Sequence, residues 1–186
     1  VVVESGMNFE LATFRKDGLY KDGRRPETVE FSSMQEDAHR RDFTINALFY
    51  DPIANKMFDF VDGVQDLRLG LIRTVGDPEL RFMEDRLRIL RAVRFKSQLG
   101  FEIDPATWVA CLRLKDGLPL VSQERVRDEI VKLLAGKFAG EGLLLFEEFW
   151  SVLSRPLANA VGFRSPDAIL RFNSRLSPSV RLAWLF

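Results

Sequence analysis

The feature that most constrains this chain is a change of rhythm at Gly76-Asp77-Pro78. Ahead of it, short β-rich runs are separated by turn residues. Behind it, apolar residues recur with the 3.6-residue period of helices over 79–99, 104–115, 122–135 and 141–153. Gly100, Gly117-Leu118-Pro119, Gly136 and Gly140 break these stretches. Strands first and helices second predict an α+β fold. With 186 residues, 46% of them hydrophobic, the chain can bury a real core as one large or two small domains.

The strand-like half reads as follows. Val1–Glu4 and Phe9–Phe14 are β-rich runs around Ser5-Gly6-Met7-Asn8, a hairpin-like connection. Glu10 then sits mid-strand, either as an exposed edge residue or, in a metal-using enzyme, as a ligand. RKDGLYKDGRRP, residues 15–26, is a loop by composition. It is either a surface loop or a lid facing phosphate or RNA, with Tyr20 available to stack. Thr28–Phe31 reads as a strand, and Ser32 or Ser33 caps a helix beginning near Met34. Arg40, Arg41 and Asp42 place polar groups at the rim of the buried-looking run FTINALFY. Asp51–Lys56 is a turn and Met57–Phe60 a strand; Gly63–Leu67 and Ile72–Val75 complete a small α+β unit. Residues 154–186 look like the start of a further helical region.

In the helical half, RFMEDRLRILRAVRF (81–95) is the most informative stretch. On a helical wheel Leu87, Ile89, Leu90 and Val93 share one side, while Asp85, Arg88 and Arg91 share the other. Arg94 lies at the edge of the apolar arc, so it is either paired or reaches round. The polar face is open to two readings. One is a solvated surface held by ion pairs three residues apart. The other follows from hydrogen-bond inventory: a carboxylate only accepts and a guanidinium only donates. Side by side, they match a base edge with an amino donor beside a ring-nitrogen acceptor, which cytosine and adenine present and guanine and uracil reverse. Arg91 and Arg94 could then take phosphates bidentately.

Bulk composition narrows the rest. A formal net charge of zero leaves nucleic-acid binding open, because charge can be segregated locally. The single Cys111 rules out a disulfide framework, fits a reducing compartment and reads as a small buried apolar residue. The single histidine, His39, reads as exposed and gives no support to a histidine metal cluster or a Ser-His-Asp triad. No apolar run has the length of a membrane span and no signal peptide opens the chain. The chain begins in strand-like VVV without Met and stops in the apolar run 182–186, so it is expected to be a piece of a longer protein.

EDAHRRDFTINALFYDP, FDFVDGVQDLRLGLIRTVGDP and RFMEDRLRILRAVRF occur together in that order. They resemble the bacterial class II tRNA nucleotidyltransferase / poly(A) polymerase family. FELATFRKDGLYKDGRRPETVEF resembles that family's third-carboxylate strand and flexible loop, and VSQERVRDEIVKLL its neck helix. The resemblance implies a partial nucleotidyltransferase head over 1–75, a helical neck over 76–136 that selects nucleotide and binds RNA, and the start of a helical body over 137–186. It implies template-independent, cytoplasmic transfer of CMP and AMP from CTP and ATP to the 3′ end of tRNA, using two Mg2+ ions. It further implies Glu10 as a metal-associated catalytic carboxylate, and Arg41, Asp42 and Asn46 around the triphosphate and ribose. Glu84, Asp85 and Arg88 match the base-selecting EDxxR motif, and Arg91 and Arg94 its phosphate-side arginines. Arg15, Asp17, Tyr20, Asp22, Arg24 and Arg25 belong to the loop, a form found in enzymes that add the terminal A.

Three departures stand out. The family's Gly-rich turn and Asp-x-Asp motif should precede residue 1 and has no substitute here, so this chain alone is expected not to catalyse transfer. Relatives often carry Pro where Arg86 stands, and small residues at Lys96 and Ser97, where an added charge is harmless if exposed. CCA addition is the favoured activity. A-only addition and poly(A) synthesis are the alternatives within the family, and a non-catalytic RNA-binding module is the alternative outside it.

Overall fold

The computed structural model describes residues 2–4, 7–9, 12–17 and 29–161. Glu10, Tyr20, Asp22, Arg24, Arg25 and residues 162–186 lie outside them. The architecture is α+β: among the described residues there are four small two-stranded sheets and a helical half.

β1 (Val2–Glu4) and β2 (Met7–Phe9) form an antiparallel hairpin in the register Val2 to Phe9. The connection is therefore shorter than the sequence suggests, with Met7 and Asn8 inside β2. β3 (Arg15–Asp17) pairs antiparallel with β4 (Val29–Phe31). Of the expected strand over Phe9–Phe14, Phe9 lies in β2 and residues 12–14 are in no strand, and the first residues of the expected loop form β3 instead. Pairing with β4 overrides the weak strand preference of Arg-Lys-Asp. α1 (Met34–His39) starts where the sequence places it. Ser33 caps it, with Glu36 completing a reciprocal capping box.

A 3-10 turn at Thr44–Asn46 leads into the hairpin of β5 (Phe49–Asp51) and β6 (Lys56–Phe58). α2 (Gly63–Leu69) and β7 (Leu71–Ile72) follow. Asp77 caps α3 (Pro78–Glu84), whose first position is the favoured one for proline. α4 (Leu87–Leu99) ends at Gly100 with φ of 71°. β8 (Glu102–Ile103), α5 (Pro105–Leu114), a 3-10 segment (Lys115–Leu120), α6 (Gln123–Leu134) and α7 (Ala139–Val161) complete the described chain.

β8 returns to pair in parallel with β7. The backbone N–H of Thr74 donates to Thr107 Oγ1 at 3.2 Å, and Arg73 pairs with Asp104 at 2.9 Å. The strand half and the helical half are thus cross-linked beyond Gly76. α4 is the centre of the main core. Ile89, Leu90 and Val93 are buried with Phe43 and Ile72 from the strand half, Leu133 and Leu134 from α6, and Phe146 and Phe149 from α7. Each such side chain contributes about 1.5–3 kcal/mol on burial.

Several expectations need correction. The periodicity over 79–99 hides a corner: Asp85 is extended (φ −149°, ψ 106°), so α3 and α4 are separate helices. Gly140 does not break a helix but lies inside α7, whereas Gly117-Leu118-Pro119 does separate α5 from α6, within a 3-10 segment. Ser122-Gln123-Glu124-Arg125 reads in the sequence as a capped helix start; Ser122 does stand at the start of α6, but without a side-chain capping bond. The condition set on Lys96, that its charge be exposed, is not met. Lys96 is 7% accessible and bridges Glu102 at 2.8 Å and Glu141 at 3.2 Å. Burial alone would disfavour its charge, but the two carboxylates outweigh that and raise its pKa. Ser97 is fully buried where the α6–α7 connection crosses α4. A Cβ added at Gly136 would lie 2.3 Å from its carbonyl oxygen. Cys111 is buried and His39 exposed, as expected.

Candidate functional site

Two walls face a polar cavity of about 520 Å³. One comes from the end of α1 and the segment after it and carries Arg40, Arg41, Asp42 and Asn46. The other comes from the α3–α4 corner and carries Asp85, Arg88, Arg91 and Phe95. Local chemistry fixes the first wall through Asp37, which is 2% exposed. Its Oδ1 accepts from Arg40 Nε at 2.9 Å, and its Oδ2 accepts from Arg41 Nε and Nη2 at 3.0 and 2.9 Å. Burial would raise the Asp37 carboxyl, but the hydrogen bonds from Arg40 and Arg41 outweigh it and hold its pKa below the usual value. Arg41 also donates to Asn46 O at 3.1 Å and lies 5.0 Å from the Phe49 ring centroid. Asn46 Nδ2 donates to Asp42 Oδ1 at 3.1 Å.

The second wall is fixed by the corner. Asp85 Oδ1 accepts from the Leu87 N–H at 3.1 Å, and Oδ2 pairs with Arg125 of α6 at 2.7 Å. Arg88, 9% exposed, donates Nη1 to Glu84 Oε2 at 2.6 Å and to Arg81 O at 2.8 Å. Asp85 and Arg88 are therefore not an ion pair with each other three residues apart. The corner turns Asp85 toward α6 and gives Arg88 to Glu84, yet both side chains still line one cavity. Arg91 Nε bridges the walls by donating to Asp42 Oδ2 at 2.7 Å.

The structure brings Arg41, Asp42, Asn46, Asp85, Arg88 and Arg91 together around this cavity. Glu84 stands behind Arg88 and does not line it. Arg94 does not line it either. It is 8% exposed, stacks 4.1 Å from the Phe95 ring centroid and approaches Glu129 of α6 at 3.2 Å. That approach is close enough for an ion pair, but neither Arg94 Nε nor Glu129 Oε2 makes a directed hydrogen bond. Burial lowers the Arg94 pKa, and Glu129 offsets part of the shift. Arg15 is placed at the base of β3, where its N–H donates to Asp37 Oδ1 at 3.3 Å. Asp17 is in the same strand.

Arg40, Asp37, Phe95 and Arg125 escaped sequence reasoning as site residues. Arg40 and Asp37 lie within EDAHRRD, and their spacing of three on a helix was the available signal. Arg125 pairs with Asp85 across 40 positions, which no local pattern reveals. Among the described residues no group of three or more His, Cys, Asp or Glu side chains converges to hold a metal ion. They do not by themselves fit a metal centre. Nor, among them, is any helix long and apolar enough to cross a membrane.

Residues 1–73 match the family model described as Poly A polymerase head domain, and residues 100–150 the one described as Probable RNA and SrmB- binding site of polymerase A. The CCA-adding enzyme of Ligilactobacillus salivarius is 47% identical over 147 residues, 78% of this chain and 36% of that protein. The CCA-adding enzyme of Geobacillus stearothermophilus is 46% identical over 149 residues, 80% of this chain and 37% of that protein. The chain thus spans little more than a third of the curated relatives it matches. Among solved structures, the Bacillus stearothermophilus CCA-adding enzyme in complex with CTP superposes with a TM-score of 0.73 at 34% identity, over 100% of this chain and 49% of that one. The Thermotoga maritima CCA-adding enzyme complexed with tRNA gives a TM-score of 0.61 at 29% identity, over 73% of this chain and 33% of that one. These matches to the head and RNA-binding family models, to curated relatives and to solved structures show that the chain belongs to the tRNA nucleotidyltransferase / poly(A) polymerase family.

Proposed function

We propose that this chain carries the nucleotide-selecting part of a cytoplasmic enzyme that adds CMP and AMP, from CTP and ATP, to the 3′ end of tRNA. The observation that carries this reading is that Asp85 and Arg88 reach one cavity while each is held by a different partner. A carboxylate has about four lone-pair sites, and Asp85 uses one on Leu87 N–H and one on Arg125. Arg88 commits Nη1 to Glu84 and the Arg81 carbonyl, makes a long 3.5 Å bond from Nη2 to Arg40 O, and keeps Nε. An acceptor and a donor are therefore free to meet the amino and ring-nitrogen edge of cytosine or adenine. Guanine and uracil would set donor against donor and acceptor against acceptor, leaving desolvated groups unmatched at about 1–3 kcal/mol each.

In this reading Asp42 and Asn46 receive the ribose hydroxyls, and Arg41 and Arg91, with Arg40, take the triphosphate. Glu84 aims Arg88. Arg94 holds α4 to α6 rather than touching phosphate. Glu10 and Asp-x-Asp carboxylates supplied by the whole protein would hold the Mg2+ ions, and no step is assigned to metal through the described residues. Arg15 and Asp17, in β3, together with Tyr20, Asp22, Arg24 and Arg25 of the following segment, are assigned to contacts with nucleotide and RNA on the strength of the family resemblance. The proposed division is a head over 1–75, a neck over 76–136 and the start of a body from 137.

The test is nucleotide incorporation by the full-length protein on tRNA ending at the discriminator base, with each triphosphate alone and then CTP with ATP. Growth by C, C and A is expected. Growth with ATP alone on tRNA already ending in CC would make it an A-adding enzyme, and long A tails on unrelated RNA a poly(A) polymerase. No growth at all would overturn the enzymatic reading in favour of a non-catalytic RNA-binding module.

A further inference from the structure

Arg81 lies outside the cavity, yet it joins the cavity's two walls. From α3 its guanidinium reaches back to the strand half. Nη2 donates to His39 O at 2.6 Å and Nη1 to Arg40 O at 3.3 Å, the carbonyls at the C-terminal end of α1. Nε donates to Val75 O at 3.1 Å. The same Nη1 meets Glu84 Oε2 at 2.9 Å, and the Arg81 carbonyl accepts from Arg88 at 2.8 Å. One side chain, 14% exposed, thus ties the backbone just before Arg41 and Asp42 to the pair that aims Arg88.

Two other ties cross between residues that line the cavity: Arg91 to Asp42, and a long 3.5 Å bond from Arg88 Nη2 to Arg40 O. Any ligand that takes the Asp42 carboxylate or the Arg91 guanidinium competes with the first of these. Arg81 does not line the cavity, and its ties go to backbone carbonyls and to Glu84, groups that the proposed ligand contacts do not use. We propose that Arg81 is a positioning residue that fixes the base-reading corner relative to the sugar- and phosphate-facing wall, and so sets which bases are accepted. The inference rests on the proposed nucleotide site. A lysine cannot replace the planar fork, because one ammonium cannot reach carbonyls on both sides and a carboxylate together.

The test uses the full-length protein and compares wild type, Arg81→Lys, Arg81→Gln and Arg113→Ala. Arg113 makes an exposed ion pair with Glu79 on the same α3 and serves as the control. The readout is the ratio of kcat/KM for CTP and ATP over UTP and GTP, alongside Tm. Wild type is expected to be selective and Arg113→Ala unchanged. Both Arg81 variants are expected to lose about tenfold or more of that ratio, mostly through KM for the correct nucleotides, since an ångström of misplacement can cost on the order of a hundredfold. Wild-type selectivity in a folded Arg81 variant would overturn the proposal, as would failure of both variants to fold at 20 °C, which would make Arg81 purely structural. A wild-type protein that incorporates nothing, or all four bases alike, would instead sink the nucleotide-site reading itself.

Discussion

Glu129→Leu is the most informative single change to the core. Arg94 and Glu129 have side chains 10% and 5% exposed and approach at 3.2 Å without a directed hydrogen bond. Such a pair gains little from its geometry while keeping two charges out of water. Removing only the carboxylate strands a guanidinium between α4 and α6, which costs about 3–5 kcal/mol. For a protein of this size that is about 6–20 °C in Tm. Replacing both charges, in Arg94→Met/Glu129→Leu, removes the desolvation burden and is expected to return stability to within about 1 kcal/mol of wild type. Differential scanning calorimetry with urea titrations of the four corners of the cycle gives both numbers. A single mutant costing under about 1 kcal/mol, or a double mutant as unstable as the two singles summed, would refute the account of a poorly directed buried pair. Nucleotide binding by the double mutant gives a second check: retained affinity places Arg94 in the core rather than on phosphate.

Arg125→Ala removes the 2.7 Å partner of Asp85 from a partly exposed position. Base discrimination by the full-length protein is expected to fall by about tenfold, with Tm changing by only a few degrees. Asp37→Asn tests the first wall by pH. The folded pKa of Asp37 lies below its ordinary 3.8, so its stabilisation is present above 3.8 and is lost as pH falls through the lower folded value. The urea midpoints of wild type and Asp37→Asn should therefore differ at neutral pH and converge in acid, and a constant gap down to pH 2 would contradict this. Gly136→Ala drives a Cβ to 2.3 Å from Ser97 O, backbone that cannot rotate away. A loss of about 1–3 kcal/mol is expected by chemical denaturation, whereas Gly140→Ala, which meets nothing within 4 Å, should be tolerated.

Periodicity exposed the helical half and its apolar arc because Leu87, Ile89, Leu90 and Val93 obey a local rule. The Ser33–Glu36 capping box was readable for the same reason: both partners sit within one turn. What the sequence concealed depends on distant partners. Nothing in Glu84-Asp85-Arg86 announces a corner, and the tie from Asp85 to Arg125 that accompanies it spans 40 positions. The sequence left the burial of Lys96 open, because one of its two carboxylates, Glu141, arrives from α7. Of the expected site, Asp42, Asn46, Arg88 and Arg91 lay in motifs short enough to read. The pairing of Arg94 with Glu129 was not readable, because Glu129 comes from α6, 35 positions away.

The two-residue parallel ladder of β7 and β8 has a topological consequence. It clasps the chain before α3 to the chain after α4, so the segment bearing Asp85, Arg88 and Arg91 is a closed loop fastened at its neck. Loop closure costs entropy only once, at the clasp. A backbone nick at Gly76 would therefore release no fragment. The severed ends would stay associated through Ile72, Arg73 and Thr74, and native electrophoresis after limited proteolysis would show one species where a denaturing gel shows two.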